Sequence, residues 1–125
     1  MDAAAKQTVL RHFPCGLYIV TVAVSGEEHG MTANWVTQAA FEPPMIAIAV
    51  ENTSRTIGMI RDAHYFGVSL LAAGQRDLAS KLGRSSDQAP NKLKGVRTKP
   101  APVSKTPVLA DALGWVECRA IASLP

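Results

Sequence analysis

Six consecutive residues without a charge, Met45 to Val50, stand between a pair of prolines and a hydroxyl-rich turn, and this block limits what the chain can fold into. A continuous apolar run of this kind has the pattern of a strand covered on both faces. Pro43 and Pro44 precede it. Proline cannot donate to a ladder and restricts the residue before it, so Glu42-Pro43-Pro44 is expected as a stiff extended corner between two strands. The strand before that corner, Met31 to Phe41, carries Thr32, Asn34, Thr37 and Gln38 among apolar residues, and a polar, planar ligand can lie along such an edge. After the apolar block comes Glu51-Asn52-Thr53-Ser54-Arg55-Thr56, leading into Ile57 to Ile60. A buried strand that ends in hydroxyls and a guanidinium and then opens a helix is a candidate phosphate site.

The chain has 125 residues, 47% of them hydrophobic and 18% charged, which suits one globular domain with a real core. Its net charge of +3 is spread from Lys6 to Arg119, with a modest gathering between Arg84 and Lys105. No interleaving of aromatic and basic residues accompanies it, so nucleic acid is not the expected partner, and an anionic small ligand accounts for the charge equally well. Cys15 and Cys118 are too few for a disulfide framework or a cysteine-rich zinc site and are expected as reduced core residues. His12, His29 and His64 fall on a helix, a loop and a turn, and no metal site is expected. The first ten residues lack the apolar core of a signal peptide, and no run approaches the roughly 18 apolar residues of a membrane span. A cytoplasmic, soluble protein is expected.

In chain order, Asp2 caps a short helix that Pro14-Cys15-Gly16 stops, and Leu17 to Val24 forms a β-branched strand. Ser25 to Gly30 reads as a polar hairpin loop, making the first two strands antiparallel neighbours. Ser54 to Ala63 is a helix with Ile57 and Ile60 toward the core, Phe66 to Leu71 a strand, and Gly74 to Leu82 a helix ended by Gly83. From Arg84 to Lys105 the periodicity fails and a long loop is expected; Ala112 to Ser123 then alternates as a half-buried strand. Short antiparallel strands with few helices predict a mainly β domain, barrel-like, with helices packed outside. Neither a G-x-G-x-x-G nor a P-loop motif occurs.

Several segments in order carry a more specific likeness: Phe13-Pro14-Cys15-Gly16, the Met-Thr-Ala-Asn run after Gly30, the Phe41-Glu42-Pro43-Pro44 corner, Asn52 to Thr56, Phe66 to Leu71, Leu78 to Gly83, Pro107-Val108-Leu109 and Trp115 to Cys118. Over nearly its whole length the chain resembles the flavin reductase-like family of FMN-binding split β-barrels, a Greek-key-like fold. The resemblance implies a homodimer with FMN or FAD against the second strand. Asn34, Thr37 and the backbone of Trp35 and Val36 would meet the isoalloxazine edge. The turn from Glu51 and Asn52 to Ser54, Arg55 and Thr56 would hold the phosphate, with Lys81 and Leu82 as further flavin contacts. It also implies hydride transfer from the C4 of NADH or NADPH to flavin N5, chemistry that needs no obligatory protein acid or base and feeds reduced flavin to a partner such as a monooxygenase. The family usually continues past the strand of Trp115 with a Gly-Asp-His segment and further strands; this chain ends at Pro125, and a fragment of a longer protein lacking its C-terminal strands is expected. An FMN-binding electron carrier that oxidises little NAD(P)H itself is the alternative, and a barrel without flavin activity a third reading. From pattern alone, Asn34 and Thr37 also suit a solvated strand face, Ser54 a helix cap, and Trp35 simple packing.

Overall fold

The computed structural model describes residues 2–14, 16–83 and 93–124, and its frame is a four-stranded antiparallel sheet. Strand β1 (Tyr18–Val24) is rich in β-branched residues and lies in the interior of that sheet. Ser25 and Gly26, both at positive φ (52° and 81°), turn the chain directly into β2 (Glu27–Ala33). Two consecutive positive-φ residues make the tight hairpin whose twist matches that of the flanking strands, and glycine suits the second position. The loop expected over Ser25 to Gly30 is therefore only a two-residue turn, and its last four residues are strand, with Glu27 facing Val24 and Ala33 facing Tyr18. Their charge and polarity disguised them, because an edge strand tolerates polar side chains. Strand β5 (Tyr65–Leu70) pairs with the other side of β1, and β8 (Gly114–Arg119) closes the order β2-β1-β5-β8.

Alternation along β1 sorts the core onto two faces. Val20 and Val22 join Phe66 and Val68 on one face, covered by Met59 and Ile60 of α2 (Arg55–Ala63). Ile57, expected to face the core with Ile60, is only half-buried, and Met59 takes its place. On the other face Ile19 packs with Leu82 of α3 (Arg76–Leu82) and Leu109 of β7 (Pro107–Leu109). Strand β7 is held there by Thr21 Oγ1, which donates to the Pro107 carbonyl, and by Ser69 Oγ, which accepts from Leu109 N at 3.1 Å. Its partner β6 (Thr98–Pro100) falls within the segment expected to be loop; three residues ending in proline give no periodicity to read. Residues 84–92 of that expected loop, and Cys15, lie outside the described residues.

Gly67 permits this close crossing of β7 over β5. A Cβ at Gly67 would sit 2.7 Å from Thr21 Oγ1 and 2.9 Å from Val108 Cγ1. Gly67→Ala is expected to destabilise the fold by about 1–3 kcal/mol through overpacking. A shift of the denaturation midpoint at constant slope would show it; an unchanged midpoint would mean that β7 moves aside without cost.

The expected strand Met31 to Phe41 is interrupted at Asn34-Trp35, where the chain leaves the main sheet for a separate ribbon of β3 (Val36–Phe41) and β4 (Pro44–Ile48). The ribbon pairs Val36 with Ile48 and Phe41 with Pro44, with a register shift between Gln38 and Ala40. Glu42 and the cis-linked Pro43 form a tight turn, not an extended corner. The apolar block was expected to be covered on both faces, yet β4 alternates between exposed and half-buried, and Phe41 at its partner's end is 84% exposed. Helix α1 (Ala3–Arg11), capped by Asp2 Oδ1 accepting from Ala4 N at 2.9 Å, also leaves Val9 and Leu10 exposed. Among the described residues nothing buries these apolar surfaces.

Candidate functional site

The turn after β4 opens α2 in the way its sequence suggests. Ser54 N donates to the Glu51 carbonyl at 3.0 Å, and Ser54, extended at φ −76° and ψ 149°, is the helix N-cap, its Oγ accepting from Ile57 N at 3.3 Å. The leading N–H groups of a helix lack intrahelical partners and carry the positive end of its dipole, so an anion is favoured there. Arg55, the first helical residue, points its guanidinium to the start of β2, where Nη2 donates to Glu27 Oε2 at 2.9 Å. A carboxylate oxygen thus already meets the Arg55 guanidinium, a donor group whose chemistry also suits phosphate oxygens. Glu51 and Asn52 are exposed beside the turn, whereas Thr56 is 1% exposed and turns its side chain inward.

The polar residues before the ribbon are brought to this turn by pairing. Ala49 N donates to the Trp35 carbonyl at 2.9 Å just beyond the Val36–Ile48 pair, so Asn34 to Thr37 lie beside the end of β4 that leads into Glu51. Asn34, Trp35 and Thr37 are exposed and Val36 half-buried. Thr37 Oγ1 donates only to the neighbouring Gln38 carbonyl, at 3.3 Å. The Trp35 carbonyl already accepts from Ala49 N, which leaves it one further lone pair to offer a ligand beside the N–H.

Lys81 and Leu82 are not brought to Arg55. Helix α3 rests on the sheet face opposite α2, tied to β2 by Thr32 Oγ1 donating to the Ala79 carbonyl. Lys81 Nζ donates to the Lys94 carbonyl at 2.7 Å, and Leu82 is fully buried. Lys81 instead borders an open cleft with Gln75, Asp77, Arg97 and Asp111, in which Arg97 and Asp111 pair at 2.8 Å.

Glu27 is the site residue that sequence reasoning missed. It is 28 residues from Arg55 in the chain. The readable signal was the hairpin: a two-residue Ser-Gly turn pairs Glu27 with Val24 and so puts it on the α2 face.

Elsewhere, the Glu117 carboxylate is held below its ordinary range by bonds from Ser104 Oγ and Ser104 N, and it braces the turn before β7. Burial, then the neighbouring Glu117 charge, raises the Cys118 thiol pKa and keeps the sulfur protonated. Among the described residues no group of three or more His, Cys, Asp or Glu is placed to hold a metal, and no helix is long and apolar enough to cross a membrane.

Residues 10–125 match the model of the flavin reductase like domain. The chain belongs to that family. The reductase component of 4-nitrophenol 4-monooxygenase/4-nitrocatechol 2-monooxygenase from Rhodococcus opacus is 30% identical over 99% of this chain and 64% of its own length. An NADH-dependent flavin reductase from Rhodococcus sp is 29% identical over 93% of this chain, again 64% of its own length. The chain therefore spans under two thirds of the length of both. Among solved structures, the NADH:FAD oxidoreductase of Streptomyces globisporus C-1027 superposes with a TM-score of 0.82 at 31% identity, covering 94% of this chain and 70% of that one. The mainly β split-barrel fold expected from the sequence is that of these flavin reductase like domains.

Proposed function

We propose that this domain binds FMN or FAD and acts as an NAD(P)H-dependent flavin reductase, in the cytoplasm, supplying reduced flavin to a partner such as a monooxygenase. The observation that carries the reading is the Ser54-capped start of α2, with Arg55 already holding an anionic oxygen, joined through the Trp35–Ala49 bond to the exposed polar edge at Asn34 to Thr37. Ser54, Arg55 and the leading N–H groups of α2 bind the phosphate, with Glu51 and Asn52 beside it; Thr56 contributes through its backbone. Asn34, Thr37 and the backbone N–H groups of Trp35 and Val36 orient the ring edge. When bound, the flavin supplies a ring that accepts hydride from the nicotinamide, so the chain's task is to align rings and exclude water. Lys81 and the backbone of Leu82, on the far face, serve a part of the ligand away from the Arg55 phosphate position, or a site completed by a second chain. The exposed ribbon of β3 and β4, with Trp35 57% exposed, supports a homodimer in which a second copy covers these surfaces. Similarity to an NADH-dependent flavin reductase and to the reductase component of a monooxygenase supports the reductase role and the monooxygenase partner.

The purified full-length protein is expected to retain or take up flavin absorbance through gel filtration, to elute at dimer mass, and to consume NADH or NADPH at a rate that rises with free flavin. Tightly retained flavin with negligible turnover would replace the reductase by an electron carrier. A colourless protein that takes up neither FMN nor FAD would overturn both.

A further inference from the structure

We propose that Glu27 is an internal counter-anion for Arg55, occupying its guanidinium when no phosphate is bound and lowering the affinity of the site for phosphorylated flavins. The inference rests on the reading of Ser54 to Thr56 as the phosphate turn and deepens it.

Glu27 is the first residue of β2, fixed in place by the Ser25-Gly26 turn and by pairing with Val24. Its carboxylate meets Arg55 through one oxygen and one nitrogen, Oε2 to Nη2 at 2.9 Å. A bidentate clamp would commit the fork of the guanidinium; this single contact leaves the remaining N–H groups able to donate to a second anion. Both side chains reach solvent, Arg55 at 37% and Glu27 at 67% exposure, so exchange of one anion for another needs no rearrangement of the fold.

The contact has two electrostatic consequences. The carboxylate takes a hydrogen-bond donor that a phosphate would otherwise use. It also stands across the guanidinium from a dianion, where like charges repel, moderated by water and salt at this exposure. Both effects weaken phosphate binding, and neither touches a flavin without a phosphate. The contact therefore favours a flavin that exchanges, as a reductase delivering reduced flavin requires.

Glu27→Gln keeps the shape and removes the charge at an exposed position. Titration of the purified protein with FMN and with riboflavin is expected to show FMN binding roughly twofold to fivefold tighter, the size of an exposed ion-pair effect, with riboflavin unchanged. The gain should shrink as salt is raised, and shrink again in the Arg55→Ala background, where no guanidinium is freed. Unchanged or weaker FMN binding in Glu27→Gln, alongside a selective FMN loss in Arg55→Ala, would overturn the counter-anion while leaving the phosphate turn in place. Equal losses of FMN and riboflavin in Arg55→Ala would overturn the phosphate turn itself, and Glu27's role with it.

Discussion

Arg55→Ala is expected to weaken FMN binding roughly ten- to a hundredfold and to leave riboflavin binding nearly unaffected. The magnitude is that of one charge-assisted hydrogen bond to an anion, about 1.5–3 kcal/mol. The guanidinium stands on the first residue of a helix whose cap is made by Ser54, and it meets Glu27 through a single Nη2–Oε2 contact of 2.9 Å, so its other N–H groups can donate to a phosphate. The variant keeps that cap and the dipole, so phosphate binding falls without vanishing. Losing the exposed pair with Glu27 costs the fold little, since such pairs contribute about 0–1 kcal/mol. Thr37→Ala should instead weaken FMN and riboflavin together, because Thr37 lies on the ribbon side, beyond the Trp35–Ala49 bond. Isothermal titration with both ligands checks the pair of variants. Equal losses of the two flavins in Arg55→Ala would move the phosphate away from this turn.

What the sequence made legible follows from which signals are local. The Asp2 and Ser54 caps, the β-branched first strand and the Gly83 stop are written within a few residues of where they act, and all appear in the structure. The order of motifs was likewise enough for the family. Pairing was less legible. Glu27 to Gly30 look like a loop because an edge strand tolerates charge, and the break at Asn34-Trp35 is invisible because residues on both sides suit a strand. The exposure along β4 could not be read either, since an apolar run has the same sequence pattern whether its strand is covered or left open. In the candidate site, residue types were legible and facing was not. Arg55 is exposed, Ser54 is half-buried with its Oγ on the cap, Thr56 turns in, and Lys81 stands on the opposite face of the sheet. Those differences are set by alternation along β1 and by where α2 and α3 land on it, both of which are long-range.

Leu82 shows the same distinction with a larger expected effect on stability. The family resemblance places it among the flavin contacts, but its side chain is fully buried and packs with Ile19 of β1 and Leu109 of β7. A leucine in that position contributes both its transfer out of water and the filling of space between helix and sheet, and neighbours tied by the Thr21–Pro107 and Ser69–Leu109 bonds have little freedom to collapse into a void. Leu82→Ala is therefore expected to destabilise the protein by about 2–5 kcal/mol, a large part of the stability of a domain this size. The buried side chain of Leu82 is not placed to meet a ligand, and alanine preserves the backbone of α3. Under conditions where the variant remains folded, its flavin dissociation constant should match that of the parent, whereas Lys81→Ala, at a half-buried position on the surface of α3, should leave the denaturation midpoint close to the parent value. Denaturant melts and flavin titrations on the two variants separate these roles. If Leu82→Ala instead lost flavin while its midpoint stayed put, the side chain would be a ligand contact and α3 would have to turn to present it.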